Sequence, residues 1–245
     1  MSSKKRLDVL LVERGLAQSR ERAQALILSG NVLVEDQPRT KSGESFDPAV
    51  AIRLREADHP YVSRGALKLL KAITEFKVET QGRVGLDIGA STGGFTEILL
   101  LGGVKKVFAV DVGHNQLDWK IRSDPRVVSL EKVNARSMPF ELISQTVDVI
   151  VVDVSFISLD KIFGPALQFM TSSSDLITLI KPQFEVGRAE VGKGGIVTNP
   201  EATETAIERL TEFALGLGLQ RLGLIKSPIT GTDGNEEYLA HWKRV

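Results

Sequence analysis

"VGLDIGASTGGFTEILL", residues 84 to 100, decides the fold. An apolar run from Val84 to Ile88 carries a single acid, Asp87, near its end. Glycines follow at 89, 93 and 94, and then an apolar stretch at helical spacing. Strand, glycine turn and helix together open a ligand crevice in a parallel sheet. The glycines let a ligand approach the backbone, and the helix start adds partial positive charge. The spacing is G-x-x-x-G-G. It is not the dinucleotide fingerprint G-x-G-x-x-G, in which a pyrophosphate rests on the helix. An acid just ahead of the turn also repels a pyrophosphate and suits a ligand carrying an ammonium or a sulfonium.

Working outward, near-continuous apolar strands alternate with helical patterns. GALKLLKAITEF (65–76) reads as a helix, KKVFAVDVG (105–113) as a strand and NQLDWKIRSD (115–124) as a helix. VVSLEKV (127–133) and VDVIVVDVSF (147–156) are strands, FGPALQFM (163–170) is a helix and SDLITLIKP (174–182) a strand. EATETAIERLTEFALGLG (201–218) is a helix, LQRLGLIKSPI (219–229) a strand, and NEEYLAHWKRV (235–245) an edge strand. This alternation predicts a Rossmann-like α/β domain with a mostly parallel sheet covered on both faces.

The strand VFAVD ends in Asp111, 24 residues after Asp87, where a carboxylate can accept ribose hydroxyls. Asn134 follows a third strand, where an adenine edge would lie. Together these features describe an S-adenosylmethionine site. The expected cofactor contacts are Asp87, Gly89, Ser91, Gly93, Gly94, Phe95, Asp111, Val112, Asn134 and Asp153. Taken singly, each glycine is ordinary turn chemistry and each Asp an ordinary cap.

Two further strands end in charge. DVIVVDVSF delivers Asp153, and TLIKPQFEVG (178–187) delivers Lys181 followed by Pro182, which cannot extend a central strand. In an open parallel sheet both strand ends face the cofactor crevice. Lys68 on the entering helix and Glu237 in the final strand could complete a set of alternating charges, although Lys68 alone also reads as a solvated helix face. Such a set suits deprotonation of a hydroxyl. A second lysine and partial burial would lower the pKa of the base, and carboxylates would orient it.

An amino-terminal stretch reads differently. RLDVLLVERGL (6–16) and SRERAQALILSG (19–30) are amphipathic helices, the second with Ser19 as N-cap. NVLVEDQPRT (31–40) reads as strand, turn, strand, with the turn at Asp36-Gln37-Pro38, and AIRLRE (51–56) as another strand. The expected division is a small α+β domain over 1–58, a linker over 59–64 and the large domain over 65–245. Residues 1 to 22 hold six Lys/Arg against three acids. Lys4, Lys5, Arg6, Arg14, Arg20 and Arg22, with Arg64 at the junction, are the expected RNA contacts, and Arg39 and Lys41 extend the patch. Contacts of this kind position a phosphate backbone without specifying sequence.

The 245-residue chain balances 31 Lys+Arg against 31 Asp+Glu, which argues against wholesale electrostatic binding of nucleic acid and leaves room for a local basic face. It contains no cysteine, which excludes disulfides, thiolate metal sites and a Cys nucleophile. Its three histidines, at 59, 114 and 241, are scattered, so no metal site is expected. No stretch approaches the ~20 apolar residues that span a bilayer, and the expected location is the cytoplasm.

SRGALKL, DIGASTGGFT, VVDVSF, LIKPQFEVG, VGKGGIV and TGTDGNEEYL, in that order, closely resemble the TlyA family of ribosomal RNA 2′-O-methyltransferases, which have an FtsJ-like catalytic domain. SRERAQALILSGNVLV resembles the S-four type RNA-binding module that precedes it. The resemblance implies S-adenosylmethionine as cofactor, cytidine ribose in ribosomal RNA as substrate, and a Lys-Asp-Lys-Glu tetrad at Lys68, Asp153, Lys181 and Glu237. The adjacent Glu236 competes for the last place, and the family spacing G-N-x-E selects Glu237. Several members are labelled hemolysins, but this sequence has no membrane-inserting segment to support such a role. A nicotinamide-dependent oxidoreductase is the rival enzyme class, disfavoured by the missing fingerprint. A non-catalytic ribosome-assembly factor that binds RNA and keeps the cofactor pocket is the rival outside enzymes.

Overall fold

A computed structural model describes residues 4–28, 30–55, 59–231 and 233–245. Two compact units divide between Pro60 and Tyr61, inside the segment expected to be a linker. Among the described residues no helix is long and apolar enough to cross a membrane.

The first unit contains β1 (Lys5–Arg6), α1 (Leu7–Glu13), α2 (Arg20–Leu28), β2 (Val32–Val34), β3 (Gln37–Arg39), β4 (Ser45–Phe46) and β5 (Ile52–Leu54). β3, β2 and β5 form one sheet in that order, and β1 pairs with β4. Leu7, Leu11, Ala23, Ile27, Val32 and Val34 form the core, the buried positions of two amphipathic helices and a strand. Ser19 Oγ accepts from the Arg22 amide at 3.2 Å, capping α2. The hairpin turn falls one residue earlier than expected. Glu35 and Asp36 both take positive φ, the geometry of a two-residue type I′ loop, and Pro38 sits in edge strand β3, where its missing N–H costs nothing. Of the expected segments, Ser29 in the second helix and Glu56 at the end of the last strand lie outside the described residues.

The second unit contains α3 (Gly65–Phe76), β6 (Val84–Ile88), α4 (Gly94–Leu101), β7 (Lys106–Val110), α5 (Trp119–Arg122), β8 (Val127–Leu130), β9 (Val147–Val152), α6 (Asp160–Leu167), β10 (Met170–Ile180), α7 (Pro182–Glu185), α8 (Pro200–Gly216), β11 (Leu219–Lys226) and β12 (Tyr238–Arg244). The sheet order is β11-β12-β10-β9-β6-β7-β8. From β10 to β8 the pairs are parallel, while β12 runs antiparallel to both of its neighbours. Both faces are covered. Ile150, Val152, Leu176 and Trp242 pack with Phe163 and Leu210 of α6 and α8. Val149, Val151, Ile177, Leu179 and Leu239 pack with Ala66 and Leu69 of α3 and Leu99 of α4.

Two expectations need correction. The carboxy-terminal strand is interior, not an edge. Leu239, Ala240 and Trp242 are fully buried, and Trp242 Nε1 donates to Thr178 Oγ1 of β10 at 2.9 Å. β11, whose exposure alternates, is the edge. The helix expected over 115–124 shrinks to α5, because the Asp118 side chain accepts from the Lys120 amide and starts the helix there.

At the sheet end away from the glycine turn, Asp175 is buried. It receives Arg83 Nη1 at 2.7 Å and pairs with His241 Nε2 at 2.7 Å. Burial alone would raise its pKa, but His241 and Arg83 outweigh it and hold the carboxyl down at about 2. A depressed carboxylate pKa gives stability that is present above the unfolded value of ~3.9 and lost as pH falls toward 2. Asp175→Asn leaves Arg83 without its charge partner and takes the carboxylate from His241. Thermal or urea unfolding at pH 7 is expected to show a loss of about 3 kcal/mol, and the variant's stability should vary less than wild type between pH 4 and 2.

Candidate active site

Register brings the site together. Ile180 faces Tyr238 across the antiparallel pair, so Lys181 faces Glu237 one step on. In the parallel pairs Ile177 lies opposite Val151, and Val151 opposite Asp87. Side chains alternate faces along a strand. Asp87, Asp153, Lys181 and Glu237 therefore share the parity of Val151, Ile177, Leu179 and Leu239, which pack under α3 and α4. α3 supplies Lys68 to the same face.

The expected catalytic groups stand as two lysine–carboxylate pairs. Lys68 Nζ donates to Glu237 Oε2 at 2.5 Å, with both side chains buried. Lys181 Nζ lies 2.6 Å from Asp153 Oδ1 and donates to Ser155 Oγ at 2.8 Å. The contact with Asp153 is Coulombic, since Asp153 Oδ1 is buried yet accepts no aligned hydrogen bond. Glu236 pairs instead with Lys226, and both of these side chains are exposed.

The glycine turn adjoins these groups. Gly89 has φ +89°, and a Cβ there would lie 2.2 Å from the Asp153 carbonyl oxygen. Gly93 has φ +96°, and a Cβ would meet Leu117 at 2.9 Å. Only glycine fits either place. Asp87 is fully buried. Its Oδ2 accepts from Thr96 Oγ1 at 2.6 Å, while Oδ1 has no partner. Burial pushes this carboxyl up to about 7, with the Asp153 and Asp111 charges adding to the rise and Thr96 opposing it.

Asp111 accepts from the Ser91 amide at 2.8 Å and the Gly113 amide at 2.6 Å. Ser91, Asp111, Gly113, Gln116, Leu117 and Glu131 line a hollow beside it. Asn134 is not part of that lining; its side-chain oxygen accepts from the Arg136 amide at 3.0 Å. Val112 is exposed, and Phe95 is buried in the core under α3 and α4, immediately after Gly94, which opens α4.

Sequence reasoning passed over three polar residues here. Glu131 holds His114 at 2.7 Å and Arg122 at 2.8 Å. The Asn115 amide, then His114 and Arg122, keep its carboxyl below the usual range. It directly follows the strand VVSL, the same signal that marked Asp111. Glu97, buried in α4, accepts from the Val62 amide and Lys120 Nζ, both at 2.7 Å. Asn235 accepts from the Val197 amide at 2.9 Å and donates to the Gly195 carbonyl at 2.8 Å, tying the VGKGGIV loop to the segment that leads into β12. Thr232, within the TGTDGNEEYL motif, lies outside the described residues.

In the first unit several of the expected RNA contacts have partners. Arg6 and Arg20 converge on buried Asp8, at 2.9 and 3.2 Å, with 48% and 55% of their own side chains exposed. Arg6 chiefly, with Gln24 and Arg20, holds the Asp8 carboxyl far below its ordinary range. Lys5 pairs with Glu13 at 2.8 Å, Arg14 donates to the Pro48 carbonyl, and Arg22 donates to the His59 carbonyl at 3.0 Å. Lys4 and Lys41 are exposed, Arg39 lies 5.6 Å over the Phe46 ring, and Arg64 precedes α3.

Comparison with known proteins agrees along the whole chain. The model of FtsJ-like methyltransferases matches residues 61–244, and that of the S4 domain matches residues 5–48. The 16S/23S rRNA (cytidine-2′-O)-methyltransferase TlyA of Mycobacterium tuberculosis is 42% identical, over 100% of this chain and 91% of its own. Hemolysin A of Brachyspira hyodysenteriae is 42% identical over 97% and 99%. The solved structure of a candidate hemolysin from Streptococcus thermophilus superposes with a TM-score of 0.78 at 40% identity, covering 100% of this chain and 90% of that one. The chain therefore belongs to the FtsJ-like methyltransferase family, in the TlyA and hemolysin A branch, with an S4 domain ahead of the catalytic unit.

Proposed function

We propose that this protein methylates a ribose 2′-hydroxyl, on cytidine, in ribosomal RNA, with S-adenosylmethionine as donor, and that it works in the cytoplasm. The observation that carries the reading is Lys181, held between Asp153 and Ser155 at a strand end beside the glycine turn. The site suits that donor. One buried carboxylate oxygen, Asp87 Oδ1, lacks a hydrogen-bond partner and would be satisfied by a cation that bears N–H donors. Asp111, at the hollow, is the group for ribose hydroxyls. S-adenosylmethionine, when bound, supplies a methyl group on a positively charged sulfur, which the deprotonated 2′-oxygen accepts.

The chain's own residues do the rest. Lys181, as the free amine, accepts the 2′-hydroxyl proton, with Asp153 and Ser155 fixing its Nζ. Lys68, secured by Glu237, brings positive charge to the face where the oxyanion develops. Arg6 and Arg20, oriented by Asp8, offer phosphate contacts that position the RNA. Among the described residues no group of three His, Asp or Glu side chains could hold a metal ion.

Purified protein with tritiated S-adenosylmethionine is expected to label ribosomal RNA or ribosomal subunits, and the label should survive removal of the base. Label on the base overturns the assignment. Lack of any transfer, with RNA still bound, favours the assembly-factor reading. Asp111→Ala is expected to weaken cofactor binding about 10- to 100-fold, by calorimetry, with RNA affinity within about threefold of wild type.

A further inference from the structure

The loop after β9 is fastened to the α7 segment residue by residue. Asp153 and Ser155 meet Lys181 at 2.6 and 2.8 Å. The Phe156 ring sits 5.2 Å from the Phe184 ring. At the far end, Glu185 Oε2 accepts from Ser158 Oγ at 2.6 Å, and Oε1 accepts from the Leu159 amide at 2.9 Å. Arg209 of α8 donates to the Glu185 carbonyl at 2.8 Å. Glu185 is 5% exposed, a buried acid in a one-turn helix that the tetrad does not use. The loop it closes is under strain. Phe156 has φ +64°, a conformation bulky residues avoid, and the residue is 91% exposed. Such strain persists only where the surroundings over-determine it. α6, which starts at Asp160, has no side-chain cap of its own; the Glu185 carboxyl on the Leu159 amide serves instead.

We propose that Glu185 is a positioning residue for catalysis: it clamps the 153–159 loop onto α7, so that Asp153 stays on Lys181 and the Phe156 ring is held outward beside them. The role in catalysis rests on the methyl-transfer reading above; the clamp itself does not. A misplacement of about 1 Å can cost about 10²-fold in rate, so a loosened clamp lowers turnover more than binding. Burial, partly opposed by Ser158, the Leu159 amide and the Arg209 guanidinium 3.9 Å away, pushes the Glu185 carboxyl up to about 7. Glutamine is therefore a fair mimic of its neutral form, with the Ser158 hydroxyl reversing its role to accept.

The test compares Glu185→Ala, Glu185→Gln and Ser158→Ala in the full chain. It measures kcat, KM for ribosomal RNA, the Kd of S-adenosylmethionine, and hydrogen exchange of the Leu159 amide without ligand. Glu185→Ala is expected to lose about 10- to 100-fold in kcat, with KM and Kd within about threefold of wild type. Leu159 exchange should be at least about tenfold faster in that variant, and Glu185→Gln should match wild type in both readouts within about threefold. Should Glu185→Ala fail to fold, Ser158→Ala carries the question, with about a three- to tenfold fall in kcat at unchanged Kd. Wild-type kcat in Glu185→Ala, equal loss in the alanine and glutamine variants, or unchanged kcat in Ser158→Ala overturns the proposal. If wild type transfers no methyl group while the exchange contrast holds, the functional reading fails and the clamp stands.

Discussion

Lys181→Ala is expected to bind S-adenosylmethionine and ribosomal RNA within about threefold of wild type and to transfer methyl groups about 10²- to 10⁴-fold more slowly, the usual worth of a positioned general base. The separation follows from geometry. Lys181 contacts Asp153 and Ser155, whereas the Asp111 hollow and the basic face of the first unit have other owners. Lys181→Arg is expected to be as slow as alanine, because a guanidinium stays protonated at any working pH. A rise in rate with pH in the wild type, absent from both variants, would identify the amine as the group that loses a proton. If Lys181→Arg retained wild-type turnover, proton removal by this residue would be refuted.

Why these groups meet could be read partly in the sequence. The stretch from Val84 to Leu100 gave strand, turn and helix in order, because a continuous apolar run, clustered glycines and a helical period are local properties. Acids at strand ends located Asp87, Asp111 and Asp153 for the same reason. The pairing of strands is non-local, and there the reading failed. NEEYLAHWKRV resembles an edge strand by its position at the chain end, yet Trp242 and Ala240 need neighbours on both sides, and β11 supplies the second. Once that order is known, parity explains the site: Glu237 lies across from Lys181 only because β12 is antiparallel to β10.

The partners of surface and buried charges were less visible still. Arg6 and Arg20 read as a simple basic patch, but Asp8, twelve residues from Arg20, gathers both. Glu185 sat inside a recognised motif, and nothing local reveals that it reaches back 26 residues to cap α6. Asn134 shows a local use of a polar side chain that the strand pattern does not reveal. A residue in the right place after a strand spends its side chain on its own turn, while Gln116 and Glu131 line the hollow. Hydrogen bonding of Asn to the chain two residues on is a local habit that competes with ligand contact.

Asp87 should make cofactor affinity depend on pH, in a direction the geometry fixes. Its carboxyl is fully buried, with one oxygen on Thr96 and the other unpartnered, and burial holds it up at about 7. Below that value the free protein carries it neutral. A cationic ligand favours the ionised form, so binding releases a proton there. Affinity for S-adenosylmethionine is expected to rise by up to about tenfold per unit between pH 5.5 and 7 and to level off above. The stability of the free protein is expected to follow the reverse trend. A carboxyl whose folded pKa exceeds the unfolded value of ~3.9 loses stability as pH rises from 4 through 7, and the ligand restores it. Cofactor should therefore raise the unfolding midpoint more at pH 8 than at pH 6. Asp87→Asn, neutral at every pH, is expected to bind about 10- to 100-fold more weakly at pH 8 with a flat profile. Calorimetry in buffers of different ionisation enthalpy counts the released proton directly. A wild-type affinity that is flat from pH 5.5 to 8, with no proton released, would remove Asp87 from the cation's surroundings.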